Sequence, residues 1–122
     1  MIRSIAASLA LLAAPGAVLA QDTLQETPAP LGAEQRMQLR CSAAFAITAR
    51  AQEAGEAEAL AFPPLGTRGR EYFVRASAQV MGEAALDREA IAAALAAEAR
   101  DMVEADTVQA VTRACLPLLP SQ

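Results

Sequence analysis

The sequence of 122 residues contains no histidine and no lysine, so all ten of its basic residues are arginine. The absence of histidine removes the most frequent general base and metal ligand, and the usual pH switch near neutrality. Tryptophan is also absent, and one tyrosine and three phenylalanines are the whole aromatic content. The hydrophobic fraction of 54% therefore overstates the core, because much of it is alanine, which favours helices but buries little surface.

The chain also has no excess of positive charge. After the first 20 residues, nine arginines oppose fourteen acidic residues, which leaves a net charge of −5. An acidic protein is a poor binder of nucleic acid and of anionic membranes, so we expect neither partner. Because no Gly-rich phosphate loop follows a strand and two cysteines alone cannot hold zinc, we expect no cofactor and no metal.

The first twenty residues are typical of a cleavable secretory signal peptide. Arg3 precedes a run at residues 5–14 that is apolar except for Ser8, Pro15 and Gly16 end that run, and small residues precede a cleavage site after about Ala20. An uncleaved membrane-spanning helix needs about 20 apolar residues without such a break. We therefore predict export and cleavage, with no membrane association afterwards.

The rest of the chain is predicted to be a flexible leader, residues 21–32, followed by a single helical domain, residues 33–122. Apolar residues recur at helical spacing and nowhere alternate as in a strand. The prediction is an all-α fold, a small four-helix up-down bundle with helices near 33–54, 67–84, 87–105 and 107–116. Residues 56–61 can form one further short turn.

Individual residues mark the helix starts and the buried stripes. Asp87 is the clearest N-cap, and Leu86 with Ile91 has the spacing of a hydrophobic staple around it. Thr67 is a fair N-cap for the second long helix. The buried stripe of the first helix is predicted to contain Met37, Cys41, Phe45 and Thr48.

The two cysteines, Cys41 and Cys115, each lie on the apolar stripe of a predicted helix. In an up-down bundle the start of the first helix and the end of the fourth meet at the same end. Export would also place both residues in an oxidising compartment, so we predict an intramolecular disulfide. The alternative is a redox pair, but such pairs are usually close in sequence, with a thiol at a helix start.

Residues 62–72 are the least generic stretch, with paired prolines, two glycines, two arginines and two aromatic residues. In one interpretation they form a recognition loop in which arginines near a helix start hold an anion. The candidate partner-binding residues are Pro63, Pro64, Arg68, Arg70 and Tyr72. In the other interpretation the stretch is a rigid connector in which Phe62 and Leu65 cap the core, as in most such loops.

No pattern indicates catalysis, and we expect no enzyme activity. The serines after the signal peptide, Ser42, Ser77 and Ser121, lack a nucleophile-elbow context and a histidine to activate them. The carboxylates on the third long helix, Glu98, Asp101 and Glu104, have the spacing of a solvated polar face.

Several segments resemble small exported helical proteins of alphaproteobacteria that have no characterised activity. The resemblance is carried by residues 40–46 (RCSAAFA), 63–65 (PPL), 69–75 (GREYFVR) and 114–116 (ACL), and it implies a periplasmic location. The gross plan of signal peptide, helices and disulfide is also shared with periplasmic acid-stress chaperones and with helical immunity proteins against type VI secretion toxins.

The leading hypothesis is a non-enzymatic periplasmic interaction protein, namely an inhibitor, immunity-type partner, chaperone or assembly subunit with a protein partner. The alternative is a carrier of a small apolar ligand in the helical core. Methionines at Met37, Met81 and Met102, among alanine-rich faces, favour that second hypothesis because they pack adaptably.

Overall fold

A computed structural model describes residues 30–121, which form an all-helical fold with a disulfide. Five α-helices and a terminal 3-10 turn make up these residues: α1 (Ala33–Glu53), α2 (Ala57–Leu60), α3 (Arg68–Ala84), α4 (Arg88–Glu104), α5 (Val108–Cys115) and the turn Leu116–Leu118. The four predicted helices agree with α1, α3, α4 and α5 to within two residues at each end. The short α2 occupies the predicted extra turn.

Helix α1 is the centre of the molecule, and α2, α3, α4 and α5 all pack against it. Residues 41–45 are buried without a break. Since successive residues of an α-helix point about 100° apart, five consecutive buried residues mean that neighbours surround α1 at this turn. The sequence predicted one buried stripe for this helix, and burial on all sides at residues 41–45 exceeds that prediction.

Three small apolar clusters surround α1. The first fills the space between α1, the connector before α3 and the C-terminal residues; the second lies between α1, α3 and α4; the third lies beneath α4 and α5. Their buried members are Cys41, Phe45, Leu65, Cys115 and Leu119; Leu39, Val80 and Ile91; and Ala43, Ala44 and Met102. The core is thus divided among the faces of one helix.

The start of α4 follows the predicted capping pattern. The Asp87 side chain accepts a hydrogen bond of 2.8 Å from the Ala90 amide, which satisfies one of the free donors at the helix start. Leu86 packs on the cluster that contains Ile91, as a hydrophobic staple requires. Thr67 is the N-cap residue of α3, but its side chain forms no capping hydrogen bond.

Two predictions about the beginning of α1 need correction. Met37 is 57% exposed, because it lies in a shallow depression with the polar side chains of Arg36, Arg40 and Glu98 rather than on the buried stripe. Leu31, assigned to the leader, packs on the cluster between α1, α3 and α4. The predicted signal peptide and the leader up to residue 29 lie outside the described residues.

The predicted disulfide between Cys41 and Cys115 is confirmed, with the two Cα atoms 5.6 Å apart. Both cysteines are buried, and the bond joins the first half of α1 to the last residue of α5 across 74 positions of sequence. Closing a loop of that length stabilises the fold by about 4 kcal/mol in the chain-entropy model. The disulfide therefore accounts for a large part of the stability expected for so small a domain.

Candidate partner-binding groove

The connector between α2 and α3 is fixed by one side chain of α1. The Gln52 amide nitrogen donates to the carbonyl oxygens of Ala59 (3.1 Å), Phe62 (3.3 Å) and Pro63 (2.9 Å). The Gln52 carbonyl oxygen accepts a hydrogen bond of 3.0 Å from the Leu65 amide. A segment whose backbone groups are bonded this way is held to α1, as the rigid-connector interpretation expects.

Two apolar side chains of the connector also point into the protein. Phe62 and Leu65 are buried, and Leu65 belongs to the cluster around the disulfide. The Arg113 guanidinium of α5 lies over the Phe62 ring, 5.7 Å from its centroid, within the range of a cation–π interaction. Both residues thus occupy the capping positions proposed for them.

The structure does not bring the five candidate partner-binding residues into one surface. Pro63 and Pro64 are exposed on the connector, whereas Arg68 donates a hydrogen bond of 2.9 Å to the Pro120 carbonyl and so holds the C-terminal residues. Tyr72 packs edge-on against the Phe45 ring at 5.3 Å, and burial raises the pKa of its hydroxyl. Of the two arginines predicted to bind a partner, Arg68 and Arg70, Arg70 is the one whose side chain is exposed on α3.

Arg70 stands at the rim of an open groove of about 690 Å³ between α1 and α3. We call it the α1–α3 groove. Its floor and walls are mostly apolar, and its lining residues are Phe45, Ala46, Ala49, Arg50, Glu53, Leu65, Gly66, Gly69, Arg70, Phe73 and Val74. Val74 is 59% exposed, although it is one of the larger apolar residues of α3.

Glycine and alanine residues account for the shape of the α1–α3 groove. A Cβ atom at Gly69 would lie 3.2 Å from the Phe45 Cβ and 3.3 Å from the Leu65 Cβ, so glycine permits α3 to approach α1 closely there. A Cβ atom at Gly66 would meet nothing within 4 Å, so that glycine leaves space rather than filling it. Ala46 and Ala49 line the opposite wall on α1 and contribute only methyl groups.

The rim of the α1–α3 groove carries an excess of positive charge. Arg50 on α1 and Arg70 on α3 line it together with one carboxylate, Glu53. Neither arginine forms an ion pair with another residue of the described chain, although Arg75 nearby pairs with Glu71, as their spacing predicts. Two unpaired cations beside apolar surface distinguish this place on a chain with a net charge of −4.

The sequence analysis missed most of this groove because its residues come from two helices. The available signal was two pairs of small residues three apart, Ala46 with Ala49 on α1 and Gly66 with Gly69 around the start of α3. Such spacing places small side chains on one helical face. It shows neither which helices meet nor that the space between them stays open.

The prediction that the carboxylates of α4 are solvated is confirmed for Asp101 and Glu104, which are exposed. It is wrong for Glu98. Glu98 is only 8% exposed, and its carboxylate lies 3.0 Å from the Arg40 guanidinium and 3.7 Å from that of Arg36. Spacing along α4 does not reveal these partners, because both belong to α1. These ion pairs hold α4 against α1. They also neutralise the charge of Glu98, which is the one buried acidic residue within residues 30–121.

The three methionines invoked for a ligand carrier lie apart in the described structure. Met102 is fully buried beneath α4, Met81 packs on a different cluster, and Met37 is exposed. They therefore do not line one common space.

Within residues 30–121, no helix combines the length and the apolar character needed to cross a membrane.

Comparison of the chain with protein-family models, curated proteins and solved structures finds no match.

Proposed function

We propose that the protein is an exported, non-enzymatic interaction protein that holds a periplasmic protein partner in the α1–α3 groove. The observation that carries this proposal is the groove itself, an apolar depression with the exposed Val74 on its wall and two unpaired arginines on its rim. Grooves and exposed apolar surface of this kind are where soluble proteins commonly bind their partners.

The hydrogen bonds and the disulfide near the groove indicate that it is a rigid docking surface. The Gln52 hydrogen bonds hold the connector, and the disulfide holds α5 against α1, so little of the groove has to be ordered when a partner arrives. A preorganised surface loses less conformational entropy on binding, which favours affinity. The proposal includes the up-down course of the four longer helices, which the bond between Cys41 and the end of α5 supports.

Site-specific photo-crosslinking in the cell that makes the protein tests this function. A benzophenone amino acid replaces Ala46, which lines the groove, or Val74 on the opposite wall. The matched control replaces Ala97, which is also exposed but lies on α4. We expect adducts with the same protein from both groove positions and none from the control.

Two results would contradict the proposal. The first is adduct formation at Ala97 as strong as that at Ala46, which would indicate contact without a preferred surface. The second is the absence of any protein adduct at both groove positions while the labelled protein is present in the periplasm. N-terminal sequencing of the same material tests export, which predicts a start near Gln21 and would be refuted by a start at Met1.

The carrier of an apolar ligand in the helical core stays a prediction without a supporting observation. The separation of Met37, Met81 and Met102 offers it no common site. Ligand pockets of that kind enclose most of the ligand, whereas the α1–α3 groove is open along its length.

A further inference from the structure

We infer that the occupant of the α1–α3 groove is an acidic amphipathic helix of the partner protein, with apolar side chains on the floor and carboxylates at Arg50 and Arg70. This inference rests on the proposed function and names the chemistry of the partner. It is argued from the shape of the groove, from the charges on its rim and from the charge of the rest of the chain.

The shape favours a helical segment over a small molecule. The wall that α1 contributes runs from Phe45 to Glu53, which at 1.5 Å per residue is about 12 Å, or roughly two helical turns. Apolar side chains spaced three or four residues apart on a bound helix would meet a floor of that length. So short a contact buries less area than a permanent complex needs, which indicates transient binding.

The rim favours acidic over basic segments. Arg50 belongs to α1 and Arg70 to α3, so carboxylates on either side of an apolar stripe can each meet an arginine. Guanidinium groups without an ion pair keep their donors available for such bidentate contacts. Glu53 on the same rim repels a second row of carboxylates and restricts where the acidic side chains can lie.

The charge of the whole chain adds selectivity to this arrangement. Residues 30–121 hold nine arginines and twelve acidic residues, so the net charge of the described chain repels an acidic segment at long range. In the groove the balance is the reverse, since arginines outnumber carboxylates two to one among its lining residues. Repulsion elsewhere and attraction at one place are how charged surfaces fix the site and register of binding.

The test uses two synthetic helical peptides of equal length with leucines at identical positions. Glutamates flank the leucines in one peptide, and lysines flank them in the other. We expect the full mature chain to bind the glutamate peptide at least tenfold more tightly, with affinity falling as salt increases from about 0.05 M to about 0.5 M. Fluorescence anisotropy of labelled peptides measures both affinities.

Charge reversal in the protein gives the decisive readout. The double variant Arg50→Glu/Arg70→Glu should bind the lysine peptide more tightly than the glutamate peptide, whereas the parent shows the opposite preference. Arg100→Glu is the matched control, since Arg100 is exposed on α4, away from the groove, and should leave the preference unchanged. A preserved helical circular dichroism spectrum shows that each variant is folded.

Filling the groove tests the shape independently of charge. Gly66→Leu places a side chain where a Cβ atom meets nothing, so the fold can accept it while the groove is occupied, and at least a tenfold loss of peptide affinity is expected. Gly82→Leu on α3 is the control, because its surroundings are equally open and it does not line the groove.

The outcomes separate this inference from the function on which it rests. Equal affinity for the two peptides, or an unchanged preference after charge reversal, overturns the acidic helix. Binding of decanoate in place of either peptide overturns it too, in favour of a lipid carboxylate.

If the crosslinks at Ala46 and Val74 persist in these cases, the proposed interaction function stands and only the inferred chemistry of the partner is wrong. If the crosslinks are missing but the glutamate peptide binds, the inferred chemistry stands and the proposed function fails.

Discussion

Residues 41–53 of α1 meet two neighbouring helices in different ways. Towards α5, the disulfide and a buried pair of hydroxyl groups, Thr48 Oγ1 and Thr112 Oγ1 at 2.8 Å, hold the two helices together; we call this contact the α1–α5 seam. A smaller pocket of about 350 Å³ lies beside the seam, between α1, α2 and α5. Towards α3, the same stretch of α1 leaves the α1–α3 groove open above Gly69.

The difference shows how a small protein can keep an open surface. A domain of about 100 residues has little stability to spare, and an uncovered apolar groove lowers it further. The covalent bond from the same helix to α5 offsets that loss without needing more core. The seam thus stabilises α1 while the groove stays available, and each half of this comparison can be tested by substitution.

Removing the disulfide is expected to have the largest effect. The double variant Cys41→Ala/Cys115→Ala should lose about 4 kcal/mol of unfolding free energy, since the unfolded chain regains the freedom of a long loop. Urea unfolding followed by circular dichroism measures the loss. Adding a reductant to the parent should reproduce the result and have no effect on the variant. A loss below about 1 kcal/mol would mean that the seam holds without its covalent bond.

A methyl group in the floor of the groove is expected to come next. Gly69→Ala should destabilise the fold by about 1–3 kcal/mol, because its Cβ atom crowds those of Phe45 and Leu65 in a closely packed contact. Gly82→Ala, in open surroundings on the same helix, should stabilise by up to about 1 kcal/mol through helix propensity. Equal effects of the two substitutions would show that α3 does not rest closely on α1 at Gly69.

The hydroxyl pair of the seam is expected to contribute less. Thr112→Val should cost about 1 kcal/mol, since it leaves the buried Thr48 hydroxyl without that partner. The double variant Thr48→Val/Thr112→Val removes both polar groups and should be less destabilised than the sum of the two single variants. Urea unfolding of all four proteins completes the double-mutant cycle. Strict additivity would rule out coupling across the seam.

The smallest expected effect is a pH dependence that arises from Tyr72. Burial raises the pKa of its hydroxyl in the folded state, so the neutral form is favoured there and ionisation favours unfolding. This stabilisation is complete below the ordinary tyrosine pKa of about 10 and is lost as the pH rises above it. Because the sequence holds one tyrosine and no lysine, absorbance at 295 nm reports this titration directly.

A midpoint above the ordinary tyrosine pKa is expected in the folded protein, with the ordinary value restored in concentrated urea. The Tyr72→Phe variant should show a shallower loss of stability between about pH 9 and about pH 11. An ordinary midpoint in the folded protein would mean that the tyrosine hydroxyl is fully hydrated beside the Phe45 ring.

Much of the fold could be predicted from sequence because its signals are local. The spacing of apolar residues gave the helix bounds, the Asp87 cap follows from a few neighbouring residues, and the disulfide follows from two cysteines on apolar stripes. Met37 was misplaced because a stripe extrapolated along a helix does not show where the neighbouring helices end.

The groove and its supports could not be predicted, because each depends on residues far apart in sequence. Gln52 bonds to a connector up to 13 positions away, and Glu98 meets an arginine 58 positions away. Neither residue type carries a periodic signal, and glutamine in a helix is ordinarily solvated. The sequence singled out Arg70, but through a loop interpretation that grouped it with Tyr72, which packs on the Phe45 ring, and with Arg68, which holds Pro120.

The central position of α1 also determines when the core can form during synthesis of the chain. This helix is the first of the described elements to be synthesised, yet its buried residues are covered only when α3, α4 and finally α5 have followed. Contacts between distant parts of a chain form late and slow the search for the native state. The sulfur of Cys41 has to wait for Cys115, 74 positions later in the chain, so the core closes only after all five described α-helices have been made.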